Sequence, residues 1–300
     1  MKPQPNAPEL SLIGESRAMR RFVTELEHVA RSDAPVLIWG EPGVGKERAA
    51  RILHQRSARA NHSFEVIRCV GLDAAALHAA LVNAIPRARE GSLLLDGVEA
   101  LDEQAQTELL RVLHAPLPAL SSERSPCRRP SLPRWICNAA EDLEPLVRRG
   151  HLRRDLYHRL AVVRLHMPPL RTRSADLPAL VADVITERVH PGAAAFTVEE
   201  EALTRLRDYP WPGNVRELEA VLTQGAWRTR RGVLRAADLS DLLAPAALNA
   251  SVQIPLGTPL AVAEQTLIRA TLAGFGGNKK RTAETLGITR RTLYLKLARS

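Results

Sequence analysis

The stretch Ala34–Glu47, which reads APVLIWGEPGVGKE, decides the fold of this chain. A short apolar run, Val36–Trp39, is followed by a glycine-rich turn, and Lys46 opens a helical stretch. Gly40, Gly45 and Lys46 fit G-x-x-x-x-G-K, the pattern of a phosphate-binding loop between a strand and a helix. Glycines let backbone N–H groups curl around phosphate oxygens, and the helix N-terminus adds partial positive charge. The stretch therefore predicts a site for nucleotide phosphates.

The whole loop is expected to contact the phosphates. The predicted nucleotide-binding residues are Gly40, Glu41, Pro42, Gly43, Val44, Gly45, Lys46 and Glu47. Lys46 is expected to lie along the β- and γ-phosphates, and the position that often holds a magnesium-binding Ser or Thr is Glu47. The alternative is a chance glycine-rich turn, which the agreement of strand, loop and lysine disfavours.

Composition indicates a globular protein of one large domain or two to three smaller ones. The chain has 300 residues, 45% hydrophobic and 25% charged, with a net charge of +9. The charge fits an acidic partner or an arginine-rich solvated surface. No apolar run is long enough to span a bilayer, and the polar N-terminus MKPQPNAPEL lacks a signal segment, so we expect a cytoplasmic protein without membrane contact. Cys69, Cys127 and Cys137 lack metal-ligand spacing and are expected to be reduced, partly buried thiols.

Strand-like and helical patterns alternate up to residue 170. Strands are predicted at Val36–Trp39, Phe64–Val70, Gly91–Asp96, Arg134–Asn138 and Val162–His166, and helices at Glu15–Arg31, Lys46–Ser57, Ala74–Ile85, Glu103–His114 and Glu144–Leu160. This alternation predicts an α/β fold with a parallel, doubly wound sheet that binds phosphates at the carboxyl ends of its strands. From Ser174 to Leu243 only helices are predicted.

The tail Leu260–Ser300 has the features of a DNA-binding helix-turn-helix. Eight basic residues oppose Glu264 and Glu284, an excess of 8 − 2 = +6, which is the charge expected for contacts with a phosphate backbone. Two short helical patterns flank Gly287, and Thr289 is placed to cap the second helix. The predicted DNA-binding residues are Lys279, Lys280, Arg281, Thr289, Arg290, Arg291, Thr292, Tyr294 and Lys296. A basic helical hairpin used for protein contacts is the alternative.

Several motifs together resemble one family, the bacterial enhancer-binding proteins. The motifs are GEPGVGKE, DLYHRL, PPLRTRSADLP, WPGNVREL and GGNKKRTAETLGITRRTLYLKL. These proteins are AAA+ ATPases that activate sigma-54 RNA polymerase and carry a Fis-type helix-turn-helix at the end. The resemblance covers roughly Leu12 to Ser300, and in that family a glutamate after the P-loop lysine is usual, so Glu47 is no defect.

The resemblance implies the fold and its division into domains. It implies an α/β, P-loop AAA+ parallel sheet with a helical lid, followed by an all-α Fis-type helix-turn-helix. The expected parts are a disordered lead at 1–10, the α/β nucleotide-binding subdomain at 11–170, the lid at 171–243, a linker at 244–259 and the DNA-binding domain at 260–300. A helix around Leu260–Leu272 resembles the Fis-type dimerisation helix.

The family's functional roles carry over to matching positions. Asp96 resembles the Walker B aspartate that holds Mg²⁺, so ATP or ADP with Mg²⁺ is the expected ligand. Arg153 and Arg159 resemble paired arginine fingers offered in trans to a neighbouring subunit's nucleotide, which implies a ring, typically a hexamer. Arg216 resembles the sensor arginine of the lid. Guanidinium groups can neutralise charge on a transferred phosphoryl group. The alternative for Arg153 and Arg159 is surface helix charge.

Several residues depart from the family pattern. The glutamate that polarises the attacking water is replaced by Gly97, and the asparagine that restrains this glutamate is replaced by Arg68. The sensor Thr-Asn pair is replaced by Ala139-Ala140, and Asn138 comes one position early, which in a strand turns a side chain to the opposite face. We therefore expect impaired ATP hydrolysis.

Glu99 is the one carboxylate nearby that could replace the missing glutamate. It lies three residues beyond Asp96 and past the strand end, so it is expected to need a rearranged loop before it could reach the attacking water.

The contact with sigma-54 is also expected to be absent. The segment Val70–Glu90 is short and contains no GAFTGA motif, and the second pore loop, expected near Pro116–Pro133, is unlike that of the family. An N-terminal receiver or sensor domain is expected to be missing, because the AAA+ signature begins almost at once.

These observations favour a sequence-specific DNA-binding transcriptional regulator that binds nucleotide and is not a conventional sigma-54 activator. Its expected partners are double-stranded promoter or enhancer DNA, a second copy through the tail, and RNA polymerase holoenzyme. One alternative is an active AAA+ ATPase that remodels RNA polymerase or another partner. Another is a mixed ring with a full-length relative.

Overall fold

The structure of the chain is a computed structural model that describes residues 11–114, 132–186, 196–228, 232–243, 257–274 and 279–298. The predicted lead, most of the predicted linker, the predicted second pore loop and Cys127 lie outside these residues. The chain forms two compact units, Met1–Leu180 with Gly213–Arg216, and Val181–Pro212 with Glu217–Ser300. None of the helices in the described ranges is long and apolar enough to cross a bilayer.

The first unit alternates strands with helices. Its strands are β1 (Val36–Trp39), β2 (Phe64–Arg68), β3 (Ser92–Asp96), β4 (Arg134–Ala139) and β5 (Val163–His166). Its helices are α1 (Arg17–Ala30), α2 (Lys46–Gln55), α3 (Ala74–Arg87), α4 (Glu103–His114), α5 (Glu144–Arg148) and α6 (Arg154–Leu160). Single 3-10 turns occupy Val98–Ala100, Leu170–Thr172 and Ser174–Asp176, and α7 (Leu177–Val184) begins in this unit.

The five strands form one parallel sheet in the order β2-β3-β4-β1-β5. Its two faces are buried because successive side chains of a strand point to opposite sides. In β1, Val36 and Ile38 pack with α1 and α2, whereas Leu37 belongs to the core that contains α3, α4 and α6 residues. The predicted doubly wound parallel sheet is confirmed, and most predicted strands and helices differ from the observed ones only at their ends. The single helix predicted at Glu144–Leu160 is wrong, because the turn around Gly150 divides it into α5 and α6.

The two cysteines of the described sheet region are fully buried. Cys69 follows β2 and Cys137 lies in β4, and both thiols are free. Burial raises the pKa of Cys69 to about 12 and raises that of Cys137 as well, so both groups are protonated at neutral pH. The prediction of reduced thiols fits this, but these two are more deeply buried than expected.

The second unit is mainly helical. It contains most of α7, then α8 (Glu200–Asp208), α9 (Asn214–Arg228) beyond its first turn, and α10 (Ala236–Leu242). The prediction that strands stop after Ser174 is wrong. Two short strands, β6 (Thr197–Val198) and β7 (Val233–Leu234), pair in parallel, because the segments before α8 and α10 run side by side and satisfy each other's backbone groups.

The tail forms three helices, α11 (Leu260–Gly274), α12 (Lys279–Thr285) and α13 (Arg290–Ala298). A small apolar core joins these helices. It consists of Ala283, Leu286, Ile288, Leu293 and Leu297, and it also includes Ile268 of α11. A helical hairpin alone offers little apolar surface, so the contribution from α11 completes the core.

A buried carboxylate ties the start of α1 to the segment after β5. Asp176 accepts hydrogen bonds from the backbone N–H groups of Glu15 (2.7 Å) and Ser16 (2.6 Å) and from the Ser16 hydroxyl (2.7 Å). The buried guanidinium of Arg173 donates to the carbonyl of Val44 in the phosphate-binding loop at 3.0 Å. These contacts connect the start of α1, the phosphate-binding loop and the segment after β5.

We expect Asp176→Ala to lower the free energy of unfolding by about 3–5 kcal/mol, because it removes three charge-assisted hydrogen bonds and leaves the nearby Arg173 charge buried. Ser16→Ala, which removes only hydroxyl bonds, should lower it by about 1–2 kcal/mol. Urea unfolding followed by circular dichroism measures both. The control is Asp208→Ala, a change of an exposed carboxylate, and equal midpoints for Asp176→Ala and this control would contradict the prediction.

Candidate nucleotide-binding site and DNA interface

The phosphate-binding loop joins β1 to α2 as the sequence predicts. Gly43 has φ +80°, and a side chain there would collide with the backbone carbonyl of Gly213, so this position requires glycine. The Lys46 ammonium donates to the carbonyl oxygens of Gly40 (2.6 Å) and Glu41 (3.0 Å). The lysine is therefore held inside the curve of the loop, where the phosphates of a nucleotide are expected.

Carboxylates at and just after the end of β3 act on the Lys46 ammonium. Burial lowers the pKa of Lys46, and the carboxylates of Glu99 and Asp96 act in the opposite direction. The guanidinium of Arg216 lowers it further. The Lys46 ammonium is thus affected by Asp96 at the end of β3, by Glu99 after it and by the predicted sensor arginine, Arg216.

Glu41 fastens the loop to two segments that are distant in sequence. Its carboxylate accepts from both terminal nitrogens of Arg171, at 2.7 and 2.5 Å, and from the Asn214 amide at 3.1 Å. These hydrogen bonds, with that of Arg171 foremost, lower the pKa of Glu41. Asn214 also donates to the carbonyl of Pro42 at 3.1 Å and accepts from the N–H of Leu170 at 2.8 Å. The loop is therefore held from outside before any ligand binds.

Asp96 and Asn138 meet at the carboxyl edge of the sheet. The two residues are in register between β3 and β4, and the Asn138 amide donates to Asp96 Oδ1 at 3.2 Å. Asn138 is fully buried, and its side-chain oxygen has no hydrogen-bond partner among the described residues. Asp96 is half-buried at the strand end. Its carboxylate is the kind of oxygen ligand that Mg²⁺ takes when most other ligands are phosphates and water.

No cluster of three or more metal-ligating side chains occurs in the part of the chain that the structure describes. Glu47 is engaged by two guanidinium groups instead, at 2.8 Å from Arg51 and 3.9 Å from Arg68. Asp96 is therefore the residue that fits a metal ion held mainly through a bound nucleotide.

The turn after Asp96 brings Glu99 back to the sheet edge. Gly97 has φ +79° and starts a single 3-10 turn over Val98–Ala100. Glu99 Oε1 accepts from the backbone N–H of Ala140 at 2.8 Å, and its Oε2 is buried without a partner among the described residues. The tight turn thus reverses the chain within three residues, and whether Glu99 reaches an attacking water from there stays a prediction.

The remaining predicted arginines lie at the surface. Arg216 is exposed in the first turn of α9, and its backbone N–H donates to the carbonyl of Gly43 at 3.2 Å. Arg153, just before α6, forms a two-nitrogen ion pair with Asp155 at 3.1 and 2.8 Å. This pairing lowers the pKa of Asp155 to about 2. Arg159 is exposed on α6. Both predicted finger positions are thus on one surface helix region, and their action in trans stays a prediction.

The predicted DNA-binding residues lie on and around α12 and α13. Thr289 caps α13, because its hydroxyl accepts from the N–H of Thr292 at 3.1 Å. Gly287, at φ +67°, makes the turn between the helices. Besides Lys279, which contacts Tyr294, three basic residues of α12 and α13 are exposed, namely Lys280, Arg290 and Arg291. These are the positions that can reach DNA phosphates or bases without breaking another contact.

Two of the predicted DNA contacts are already engaged within the tail. The Lys279 ammonium lies 4.6 Å from the ring centroid of Tyr294, a cation–π contact. Lys296 forms an ion pair with Glu264 of α11 at 2.7 Å. Tyr294 remains exposed, and the side chain of Arg281 lies outside the described part. The role of each of these residues in DNA binding stays a prediction.

Comparison with known families covers nearly the whole chain. The Sigma-54 interaction domain family matches residues 12–166. The chain belongs to the bacterial enhancer-binding proteins. The AAA+ ATPase lid domain matches residues 171–253, and the bacterial regulatory protein domain of the Fis family matches residues 259–299. The resemblance inferred from the motifs, the AAA+ fold class and the helix-turn-helix are confirmed.

Relatives within this family share about a third of the residues. The transcriptional regulatory protein ZraR of Escherichia coli is 34% identical over 99% of this chain and 70% of its own length. The regulator NtrC of Azospirillum brasilense is 31% identical over 96% of this chain and 69% of its own. The crystal structure of NtrX from Brucella abortus in complex with ATP has a TM-score of 0.65 and 29% identity, covering 97% of this chain and 70% of that one.

Sequence reasoning missed three features of this enhancer-binding protein. These are the pair of Asn138 with Asp96, the attachment of Glu41 to Arg171 and Asn214, and the return of Glu99 to the sheet edge. The asparagine in WPGNVREL and the glycine in LLLDGVEA were visible signals. Which groups they contact depends on segments up to 173 residues apart, which no local pattern can indicate.

We expect Asn214→Ala to weaken ADP binding about tenfold, because it releases one of the two side chains that hold Glu41. Asn214→Asp should cost more stability than Asn214→Ala, since it places a second carboxylate against Glu41. Thermal unfolding and calorimetric titration with ADP measure the two effects. Glu219→Ala, in the same helix, is the control. An ADP affinity of Asn214→Ala within twofold of the natural protein would contradict the prediction.

Proposed function

We propose that this enhancer-binding protein is a sequence-specific DNA-binding transcriptional regulator whose AAA+ domain binds ATP or ADP together with Mg²⁺. The observation that carries the proposal is a phosphate-binding loop, with Lys46 held inside its curve, in one chain with a capped and basic helix-turn-helix. Nucleotide would stabilise one state of the protein by binding it preferentially.

The geometry of the first unit supports nucleotide binding. The loop is held by Glu41 and Lys46 is inside it. Asp96 stands at the end of β3 on the same edge of the sheet, where its carboxylate could coordinate a phosphate-bound metal. Solved structures of the similar NtrX from Brucella abortus hold ADP and ATP. In our proposal Asp96 binds the Mg²⁺ of the nucleotide, and the guanidinium of Arg216 contacts the phosphates of the nucleotide.

We propose that hydrolysis is slow compared with that of a conventional member of the family. Gly97 brings no carboxylate to the position next to Asp96, and Ala140 has no polar side chain with which to contact a γ-phosphate. Slow turnover favours nucleotide as a switching ligand rather than as the fuel of a remodelling motor.

We also propose that the chain does not engage sigma-54 in the conventional way. Between Cys69 and Gly91 the structure has one helix, α3 (Ala74–Arg87), with only a few residues on either side. This connection leaves no room for an inserted loop of the GAFTGA type. The chain would then act at promoters by repression or through RNA polymerase with another sigma factor.

Self-association is part of the proposal. The exposure of Leu260 (85%) and Leu267 (43%) on α11 favours a dimer through the tail. Such a dimer matches DNA half-sites about one turn apart. A hexameric ring, or a mixed ring with a full-length relative, would use Arg153 and Arg159 as fingers in trans.

An active ATPase that remodels RNA polymerase or another partner is the second candidate function. One observation favours it. The carboxylate of Glu99 is close enough to raise the pKa of Lys46, so a carboxylate besides Asp96 is present near the loop. Measured turnover of ATP decides between a switching ligand and a motor.

Lys46→Ala should weaken ADP binding at least about 100-fold, because the phosphates lose the only cation of the loop. Calorimetric titration measures the affinity. DNA binding should stay unchanged. Lys280→Ala, in the tail, is the reciprocal control and should leave ADP binding intact. An ADP affinity of the natural protein weaker than millimolar, or equal affinity for Lys46→Ala, would contradict the proposed nucleotide site.

Replacing Arg290 and Arg291 with alanine should weaken binding to operator DNA and reduce the slope of log affinity against log salt by about 0.9 for each lost phosphate contact. Fluorescence anisotropy at several salt concentrations measures this. Arg269→Ala, an exposed change on α11, should alter neither value much. A salt slope that stays at the natural value in the double variant would argue against α13 as the DNA-contacting helix.

The proposal on sigma-54 is tested separately. Reconstituted transcription by sigma-54 polymerase that strictly requires this protein would contradict it.

A further inference from the structure

We propose that Glu99 is the catalytic carboxylate of this AAA+ site and that it holds the attacking water in place of the glutamate missing at Gly97. This inference deepens the proposed function and rests on nucleotide binding at the phosphate-binding loop. The hydrolysis that remains would then depend on position 99.

The backbone after β3 is built to return Glu99 to the site. The N–H of Gly97 donates to the carbonyl of Asn138 at 3.0 Å, and the N–H of Ala100 donates to the carbonyl of Gly97 at 3.1 Å. Val98 is fully buried beside this turn. Gly97 has φ +79°, a conformation that a glutamate adopts only with strain. The same glycine that removes the usual carboxylate thus creates the turn that supplies another.

The Glu99 carboxylate is fixed by one oxygen and open at the other. Oε1 accepts from the N–H of Ala140 at 2.8 Å, and Oε2 is buried without a partner in the described ranges. A buried carboxylate oxygen with no donor is costly, so it requires a ligand that can donate. A water molecule is the smallest such group, and its O–H bond would satisfy Oε2.

Glu99 also lies close to the other groups of the site. Its carboxylate is the strongest of the influences that raise the pKa of Lys46, ahead of that of Asp96. Ala140, which holds it, follows directly on β4, whose Asn138 binds Asp96. The water held by Oε2 would therefore stand near the terminal phosphate bound by Lys46.

The hydrogen bond from Ala140 to Glu99 also accounts for a second difference from the family pattern. In β2, Arg68 occupies the position of the asparagine that restrains the usual glutamate, and it is exposed. The backbone N–H of Ala140 performs this restraint on Glu99 instead. Because position 97 is a glycine, a side chain at position 68 has no glutamate to restrain. Arg68 is paired with Glu47 instead.

The step that follows is a simple hydrolysis. The water oxygen attacks the γ-phosphorus and forms a P–O bond, while the bond between this phosphorus and the β–γ bridging oxygen breaks and its electron pair leaves with ADP. The proton of the water passes to Glu99 Oε2 and then to solvent. ATP and water thus give ADP, inorganic phosphate and one proton, and no other reactant is needed.

Glu99→Gln in the full chain tests the proposal. The amide keeps an oxygen for the N–H of Ala140 but cannot take a proton, so steady-state ATP turnover at high protein concentration, with and without DNA, should fall at least about 100-fold. The affinity for ATP should stay within about threefold, and bound ATP should remain uncleaved in the variant when the bound nucleotide is extracted and separated. Glu103→Gln, an exposed change at the start of α4, should keep natural turnover. Lys46→Ala gives the background rate of ATP turnover that does not depend on this site.

Gly97→Glu gives a second and opposite test. If position 97 were still the natural place of the carboxylate, this variant should raise turnover. We expect lower turnover instead, because the strained residue disturbs the turn that carries Glu99, with Gly97→Ala as the control for strain.

The outcomes separate the two proposals. Natural turnover in Glu99→Gln, or turnover of the natural protein no higher than that of Lys46→Ala despite clear nucleotide binding, would overturn the role of Glu99 and leave the proposed function standing. An increase of turnover in Gly97→Glu would also overturn it. Failure of the natural protein to bind nucleotide at all would overturn both.

Discussion

Parallel alignment of β1, β3 and β4 is the constraint on which the nucleotide site depends. In a parallel sheet every strand ends at the same edge, so the phosphate-binding loop after β1, Asp96 at the end of β3 and Asn138 in β4 are brought together without any local signal. The buried faces of these strands maintain the alignment, because a shift by one residue would turn apolar side chains such as Leu37 away from their core.

The predicted departures from the family pattern lie at the same edge of the sheet as the phosphate-binding loop. Lys46 begins α2 after the loop, Asp96 ends β3 and Arg216 lies in the first turn of α9, and their roles toward a nucleotide stay predictions. The substitutions at 68, 97, 139 and 140 fall together at one strand edge. At this edge Asn138 donates to Asp96, and the backbone N–H of Ala140 donates to Glu99. Two buried side-chain oxygens at this edge, Glu99 Oε2 and Asn138 Oδ1, have no hydrogen-bond partner among the described residues.

The tail is held together by a small core and by charged contacts between its helices. Its three helices share a very small core, so its stability rests on few contacts, among them the Lys296–Glu264 ion pair between α13 and α11. Surface ion pairs contribute little individually. The remaining exposed cations on α12 and α13 are free to act through counterion release on DNA. Charge in this unit therefore serves both internal attachment and the outer surface.

Much of this protein is determined locally. The alternation of apolar runs and helical patterns specifies the α/β class, and G-x-x-x-x-G-K with the Fis-type tail specifies the family, because each depends on neighbouring residues and on backbone geometry. Tertiary structure alone decided that Glu41 is held by Arg171 and Asn214, that Asn138 binds Asp96, and that Glu99 returns to the sheet edge. It also paired β6 with β7 where only helices were predicted. These contacts join segments far apart in the chain, and a hydrogen bond depends on distance and angle in space, not on separation along the sequence.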